Sequence, residues 1–560
     1  MFISTLPGFS FLRVAGVLAG LCLGTTALAQ TAPTWLSARS LGPGATPGAT
    51  AVDAAGNIYL AGQFSGSISL GGTTLTSTGD ADGYLAKLTP SGTLAWIRQL
   101  GSAGYETVQD VAVDAAGNVY ITGAFRNTVA LGNSLSLINS TAGAERKAFL
   151  VRYSPDGTPQ WAQQSTIRSG AATNNGFGSG LGLDAAGNVY MTGQFSRSLT
   201  IGTSSISIPN NAERVGIYLA RFTAATGALQ SLTSSFYYAT SSGSFFYPKL
   251  AVAPDGAAYL VSIFTESPIF SASQQLFSIG TFDVLTAHYN AQGTFEWVRQ
   301  LGGAGQDIVT DAAVDAAGNL YVAGGFEGLA MVGSLNLYSK GSIDGFLLKY
   351  SPQGTLDWAQ TSAGPGSEIW SGVSVDAANA PYVVGSADNG TQIGTQTVAT
   401  AGSDDVVVAA YTPQGTVRWV KTAGGPGSDF GQYLFCTAPD ELQVLGRFRT
   451  TAAFASLSLS TTAADGDIFL ARLGAGPLST QAARPQALGL YPNPATDQLH
   501  LPALPAGTRV QLVDAVGRVA REATVSAAAQ VSVRGLLPGL YTLRATDAKG
   551  QQFAGKVAVE

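Results

Sequence analysis

Apolar and polar residues alternate through four stretches that share one frame: 52–64 (VDAAGNIYLAGQF), 113–125 (VDAAGNVYITGAF), 183–195 (LDAAGNVYMTGQF) and 314–326 (VDAAGNLYVAGGF). In each, alternating apolar positions flank a short polar turn, the pattern of a β-hairpin with one buried face. The turn DAAGN carries Gly where positive φ is needed. It carries Asp where a side chain can accept from nearby backbone N–H groups. Three weaker copies keep the frame: 252–264 (VAPDGAAYLVSIF), 375–387 (VDAANAPYVVGSA) and 436–448 (CTAPDELQVLGRF). The seven starts are 61, 70, 69, 62, 61 and 61 residues apart.

A second hairpin follows each first one, as in 82–101 (DGYLAKLTPSGTLAWIRQLG) and 344–362 (DGFLLKYSPQGTLDWAQTS). Its turn sets Pro where φ is fixed and Gly where it must be permissive. Each unit of about 61 residues is thus expected to hold four strands, and such units repeated about an axis make a β-propeller. The seventh unit reaches a third strand at 467–474 and then enters a linker without its Trp-bearing fourth strand. The segment 34–42 (TWLSARSLG) matches 95–101 (AWIRQLG), so the N-terminal strand is expected to complete the last sheet. On that alignment Trp35 joins Trp96, Trp161, Trp297, Trp358 and Trp419 at one repeat position and closes the ring.

These units resemble the SBBP-type β-propeller repeat over about residues 34–474, a resemblance that implies a fold and little chemistry. After Gly474 comes a Pro/Ala/Gly-rich linker (475–487), then alternating strands that suggest a small β-sandwich over 488–560. Tyr491, Pro492, Asn493 and Pro494, Asp514 with Gly517, Leu537-Pro538-Gly539-Leu540-Tyr541 and Lys556 resemble the type A sorting domain of type IX secretion substrates. The resemblance implies handling by the type IX machinery, passage across the outer membrane, and release or attachment at the cell surface. The expected fold is therefore all-β, a seven-bladed propeller closed by its N-terminal strand and followed by a small sandwich.

Composition narrows the function. Charged residues are 11% of the chain and the net charge is −6, which supplies no basic field for nucleic acid. Arg13, an apolar stretch containing Cys22, and Ala27-Leu28-Ala29 read as a signal peptide over 1–29. Its removal leaves Cys436 alone, so no intramolecular disulfide is expected.

Candidate chemistry is sparse. His288 aligns with Lys87, Arg152, Arg221, Lys349, Ala410 and Arg472 and is read as a position where most units carry a solvated basic residue. His500 is read as structural, and two separated histidines leave no His-based metal site or Ser-His-Asp triad. Acids recur at Asp82, Asp283, Asp344, Asp405 and Asp467, and again at Glu106, Asp307, Glu368 and Asp429. The last four are the candidate calcium ligands; their isolation within each unit favours turn bonding, and no other cofactor is expected. The fourth unit enters through SSFYYATSSGSFFYPKL (234–250) and has no Trp near Ser231. Phe236, Tyr237, Phe245 and Phe246 are its candidate sugar-stacking platform, weighed against simple refilling of the core, and Trp370 is read as a core variant. The sequence points to a secreted or surface-attached module that binds a glycan or protein, without a visible catalytic constellation. The alternative is an extracellular polysaccharide hydrolase or lyase on the same scaffold.

Overall fold

The computed structural model describes residues 32–42, 47–139, 145–166, 176–208, 214–239, 247–271, 273–475, 486–514, 518–546 and 552–560. The expected signal peptide, most of the linker, Gly517, Phe245 and Phe246 lie outside them.

Among the described residues an antiparallel four-strand meander occurs seven times. The first joins Ala49–Val52, Ile58–Phe64, Asp82–Leu88 and Leu94–Leu100 in that order. The seventh joins Phe430–Ala438, Glu441–Phe448 and Asp467–Gly474 to Thr34–Gly42. The first strands of successive sheets touch in chain order, and Phe430–Ala438 in turn touches Ala49–Val52. Within each sheet the two middle strands are buried on both faces, as in Val119–Phe125 and Lys147–Tyr153. Burial of that kind explains their nearly continuous apolar runs. It also explains a repeated glycine: a Cβ on Gly123 or Gly324 would strike the carbonyl of Thr107 or Ile308 on the neighbouring strand.

Each unit holds more than the expected four strands. A short hairpin lies between the second and third strands, for example Leu329–Val332 with Leu335–Tyr338. Its Ala330, Met331 and Val332 pair with Gly303, Gly302 and Leu301 on the outer strand of the preceding sheet. The same stitch joins Ser165 and Thr166 to Ile201 and Thr200. With only two to four residues per strand, these hairpins fall below the length at which alternation is a clear signal.

The register of Thr34–Gly42 differs from the expectation. Trp96, Trp161, Trp297, Trp358 and Trp419 each stand opposite the basic position of the third strand or its equivalent: Lys87, Arg152, His288, Lys349 and Ala410. In the seventh sheet Arg472 faces Ser37, while Trp35 faces Leu473. Trp35 therefore sits at the step that Leu94 occupies in the first sheet. The Arg-containing half of the strand sets the register: Arg39 donates to the Ser91 carbonyl at 2.6 Å, as Arg98 donates to Gly157 at 2.8 Å.

The C-terminal region has a five-stranded sheet, with Gly539–Thr546 between Arg509–Val513 and Gln552–Val559, and a two-stranded ladder of Gln498–His500 with Gln530–Ser532. Leu499 and Val531 from the ladder share one core with Val510, Leu512, Leu543 and Val557 from the sheet.

Candidate functional site

The DAAGN turns are closed by their own side chains. Asp53 Oδ1 accepts from the N–H groups of Ala55 (3.0 Å) and Asn57 (2.8 Å). Its Oδ2 accepts from Asn57 Nδ2 (2.8 Å) and the Tyr59 hydroxyl (3.0 Å). Asp114, Asp184 and Asp315 each accept from the corresponding Asn and Tyr. The motif's polar atoms are thus consumed locally. The divergent fourth and seventh copies make bonds to a neighbouring sheet. Tyr259 donates to the Gly318 carbonyl (2.6 Å), and Asp440 accepts from Arg418 Nη2 (2.6 Å) and Trp419 Nε1 (2.9 Å) of the sixth sheet.

The calcium candidates are buried where one sheet meets the next. Glu106, Asp307, Glu368 and Asp429 are all nearly inaccessible. Asp307 Oδ2 accepts from Gly303 N (2.7 Å), Asp429 Oδ2 from Gly425 N (2.7 Å), and Glu106 Oε2 from Ser102 N (2.8 Å). Each has an acidic neighbour from the preceding sheet. Burial, then Asp283, pushes Asp307 up to about 7; burial, then Asp344 against the bond from Thr391, pushes Glu368 up to about 7. One oxygen of each of Asp283, Asp307, Asp344 and Glu368 is buried without a hydrogen-bond partner. Among the described residues no group of three or more His, Cys, Asp or Glu side chains is arranged to hold a metal ion. The acids come as pairs, and a pair of this kind is suited to sharing a proton.

The remaining sequence candidates fall largely into the core. His288 is buried rather than solvated. It stacks on Trp297 at 5.2 Å and lies 4.6 Å from the Tyr259 ring, with Nδ1 3.2 Å from Glu296 Oε2. Burial lowers its pKa despite Glu296. Phe236 is 2% exposed and packs on Phe270 at 4.8 Å, so it cannot offer a face to a sugar. The Tyr237 backbone pairs with Gly216 and Ile269 in the outer strand of the third sheet. Ser231, opposite Arg221, occupies the Trp position of that sheet. Trp370 is buried at 1%. Burial also raises Cys436 to about 12, which favours its protonated thiol.

What sequence reading missed lies on the first strands. At the step opposite Ala61, Thr122, Thr192, Val261, Ala323, Val384 and Leu445, most sheets carry a β-bulge or an irregular start. Three of these equivalent positions hold Ala49, Gly180 and Gly372; the other four hold Asp110, Lys249, Asp311 and Tyr433. All four line one cavity of about 350 Å³. Each Asp reaches across to the next first strand: Leu181 N donates to Asp110 Oδ2 (2.7 Å) and Val373 N to Asp311 Oδ2 (3.0 Å). The Tyr433 hydroxyl donates to the Pro47 carbonyl at 2.9 Å. Burial, opposed by the Lys249 ammonium and aided by Asp311, pushes Asp110 up to about 6. The signal was the departure of single residues from the repeat; no motif contained it.

In the C-terminal region Asn493 Nδ2 donates to the Lys556 carbonyl (3.0 Å), and Ala558 N donates back to Asn493 Oδ1 (2.8 Å). Tyr491 stacks on His500 at 5.2 Å, and the Tyr541 hydroxyl donates to the Leu537 carbonyl at 2.8 Å. Among the expected sorting residues, Asn493 and Lys556 thus tie the first and last segments of this region together.

Residues 95–124 and 296–324 match the family described as Beta-propeller repeat, and 489–560 match the Secretion system C-terminal sorting domain. The sorting domain marks the chain as secreted or attached to the outer cell surface. An uncharacterized WD repeat-containing protein of Acanthamoeba polyphaga mimivirus is 21% identical over 54% of this chain, which spans only 26% of that relative. Among solved structures, the extracellular domain of a putative hybrid two-component system of B. thetaiotaomicron is similar (12% identity, TM-score 0.23, 93% of this chain and 76% of that one). So is PorZ, a surface component of the Porphyromonas gingivalis type-IX secretion system (12%, TM-score 0.17, 93% and 100%).

Proposed function

We infer that this chain, built from SBBP-type propeller repeats and ending in a type IX sorting domain, is a seven-bladed ring that works outside the cell by binding. In this reading Thr34–Gly42 is the fourth strand of the last blade, and the C-terminal region is a sandwich that serves export. The cavity bearing Asp110, Lys249, Asp311 and Tyr433 is its ligand site. One observation carries the reading. Where the other sheets keep Ala or Gly, four sheets converge on one cavity with two carboxyls, an ammonium and a phenol. Such convergent polar groups in a concavity are what a small-ligand site requires. Both carboxyls already accept from two backbone N–H groups, which suits them to fixed recognition rather than to proton transfer.

The test is a screen of small polar metabolites and oligosaccharides by thermal shift, on the full mature chain and on its Lys249→Met variant. A ligand that raises the melting temperature of the first and not the second supports the reading. A screen in which no hit depends on Lys249 counts against it. Turnover of a polymer would establish the hydrolase or lyase alternative instead.

A further inference from the structure

A second group of repeat departures meets away from that cavity. Tyr105 precedes Glu106, where the equivalent residues before Asp307, Glu368 and Asp429 are Gln306, Ser367 and Ser428. Arg146 enters a third strand at the step occupied by Ala81, Phe282 and Ile343. Tyr247 belongs to the aromatic entry of the fourth unit. The Arg146 guanidinium lies over the Tyr105 ring at 4.7 Å and over the Phe177 ring at 5.3 Å. Phe177 is buried and meets Tyr247 edge-on at 6.4 Å, leaving Tyr247 43% exposed.

The support beneath is fixed. Arg146 O accepts from Gly176 N (2.8 Å), and the Tyr105 hydroxyl donates to Gln63 Oε1 (2.6 Å). A second cation, Arg126, stands close to Arg146, and its Nε is buried without a hydrogen-bond partner.

We propose that Tyr105, Arg146 and Tyr247, with Arg126 behind them, bind an acidic saccharide, a sugar unit bearing a carboxylate. A guanidinium set over two aromatic rings is a placed cation, and its fork of donors matches the two oxygens of a carboxylate. An exposed phenol ring offers a face for the C–H side of a sugar. Two arginines are too few to hold a polyanion through its charge alone, which sets this site apart from a nucleic-acid surface. The site is distinct from the cavity at Lys249 and stands or falls separately from it.

The experiment titrates oligogalacturonate, a hyaluronan oligosaccharide and sialyllactose into the full mature chain by calorimetry, with methyl-esterified oligogalacturonate as the neutral control. At least one acidic sugar is expected to bind, and where oligogalacturonate binds, its ester should bind at least about tenfold more weakly. Arg146→Gln should weaken binding by at least about tenfold. Tyr247→Ala, at an exposed position, should weaken it severalfold with the melting temperature unchanged. Lys249→Met should leave it intact. Failure of all three acidic sugars to bind, equal affinity for acid and ester, or full affinity in folded Tyr247→Ala would each overturn the proposal.

Discussion

The Trp35 indole donates to the carbonyl of Thr422, 387 residues further along the chain, at 3.0 Å. The other tryptophans of the repeat bond forward, as Trp96 does to Pro155 (3.1 Å) and Trp297 to Pro352 (2.9 Å). Trp35 bonds backward to the sixth sheet and sets its ring edge-on to Phe454 at 5.1 Å. Trp35→Ala should therefore cost about 3–5 kcal/mol. Ser37→Ala, at the exposed step where five other sheets place Trp, should be nearly neutral. Denaturant unfolding of the two variants checks this, and a silent Trp35→Ala would show that the strand is not needed to hold the seventh sheet.

The turn carboxylates offer a second test. Asp315 is 3% exposed and accepts from the N–H groups of Ala317 and Asn319 and from Asn319 Nδ2. Asp315→Ala leaves these donors unmatched and should cost about 1–3 kcal/mol. Asp255→Ala, whose carboxylate accepts from Ala257 N at 3.0 Å in the divergent fourth turn, should cost less. Equal losses would mean that the DAAGN bonding contributes nothing of its own.

The buried acid pairs make stability depend on pH. Asp307 and Glu368 titrate near 7 in the folded chain and near the usual carboxylate range when unfolded. Protonation therefore favours the fold. Their contribution is complete below about pH 4 and is lost as pH rises through 7. At about 1.4 kcal/mol per unit, each is worth at most about 4 kcal/mol, less what the neighbouring groups share. An Asp307→Asn/Glu368→Gln variant should melt higher than the wild type at pH 8 and show a flatter profile from pH 5 to 8. Should calcium bridge the pairs instead, excess calcium at pH 8 would raise the wild-type melting temperature and leave the variant's unchanged.

The two hydrogen bonds of Asn493 join the start of the sorting domain to its final strand. Asn493→Ala should destabilise this domain by about 1–2 kcal/mol and retain more of the protein in the periplasm. Fractionation of cells and medium reads the outcome. Unchanged export would separate the motif's packing role from its sorting role.

The repeat, its turns and the export address were legible in the chain because the interactions behind them are local. An Asp four residues before an Asn closes a turn wherever the pair occurs, and alternation marks any strand long enough to have two faces. Refilling of the core by Phe236 was among the readings the chain offered, but the burial of His288 was not legible. The same side chain is solvated or enclosed according to the sheet packed against it, and that sheet is another repeat.

What the sequence determined by itself, then, was the unit, its frame and its destination. The tertiary structure alone decided that Ser37 rather than Trp35 faces Arg472, because a small register shift leaves every motif intact while moving each side chain to a new neighbour. It alone brought Asp110, Lys249, Asp311 and Tyr433 to one cavity, and Tyr105, Arg146 and Tyr247 to one surface. Each is a single departure within its own repeat, and only the packing of successive sheets turns such isolated departures into neighbours.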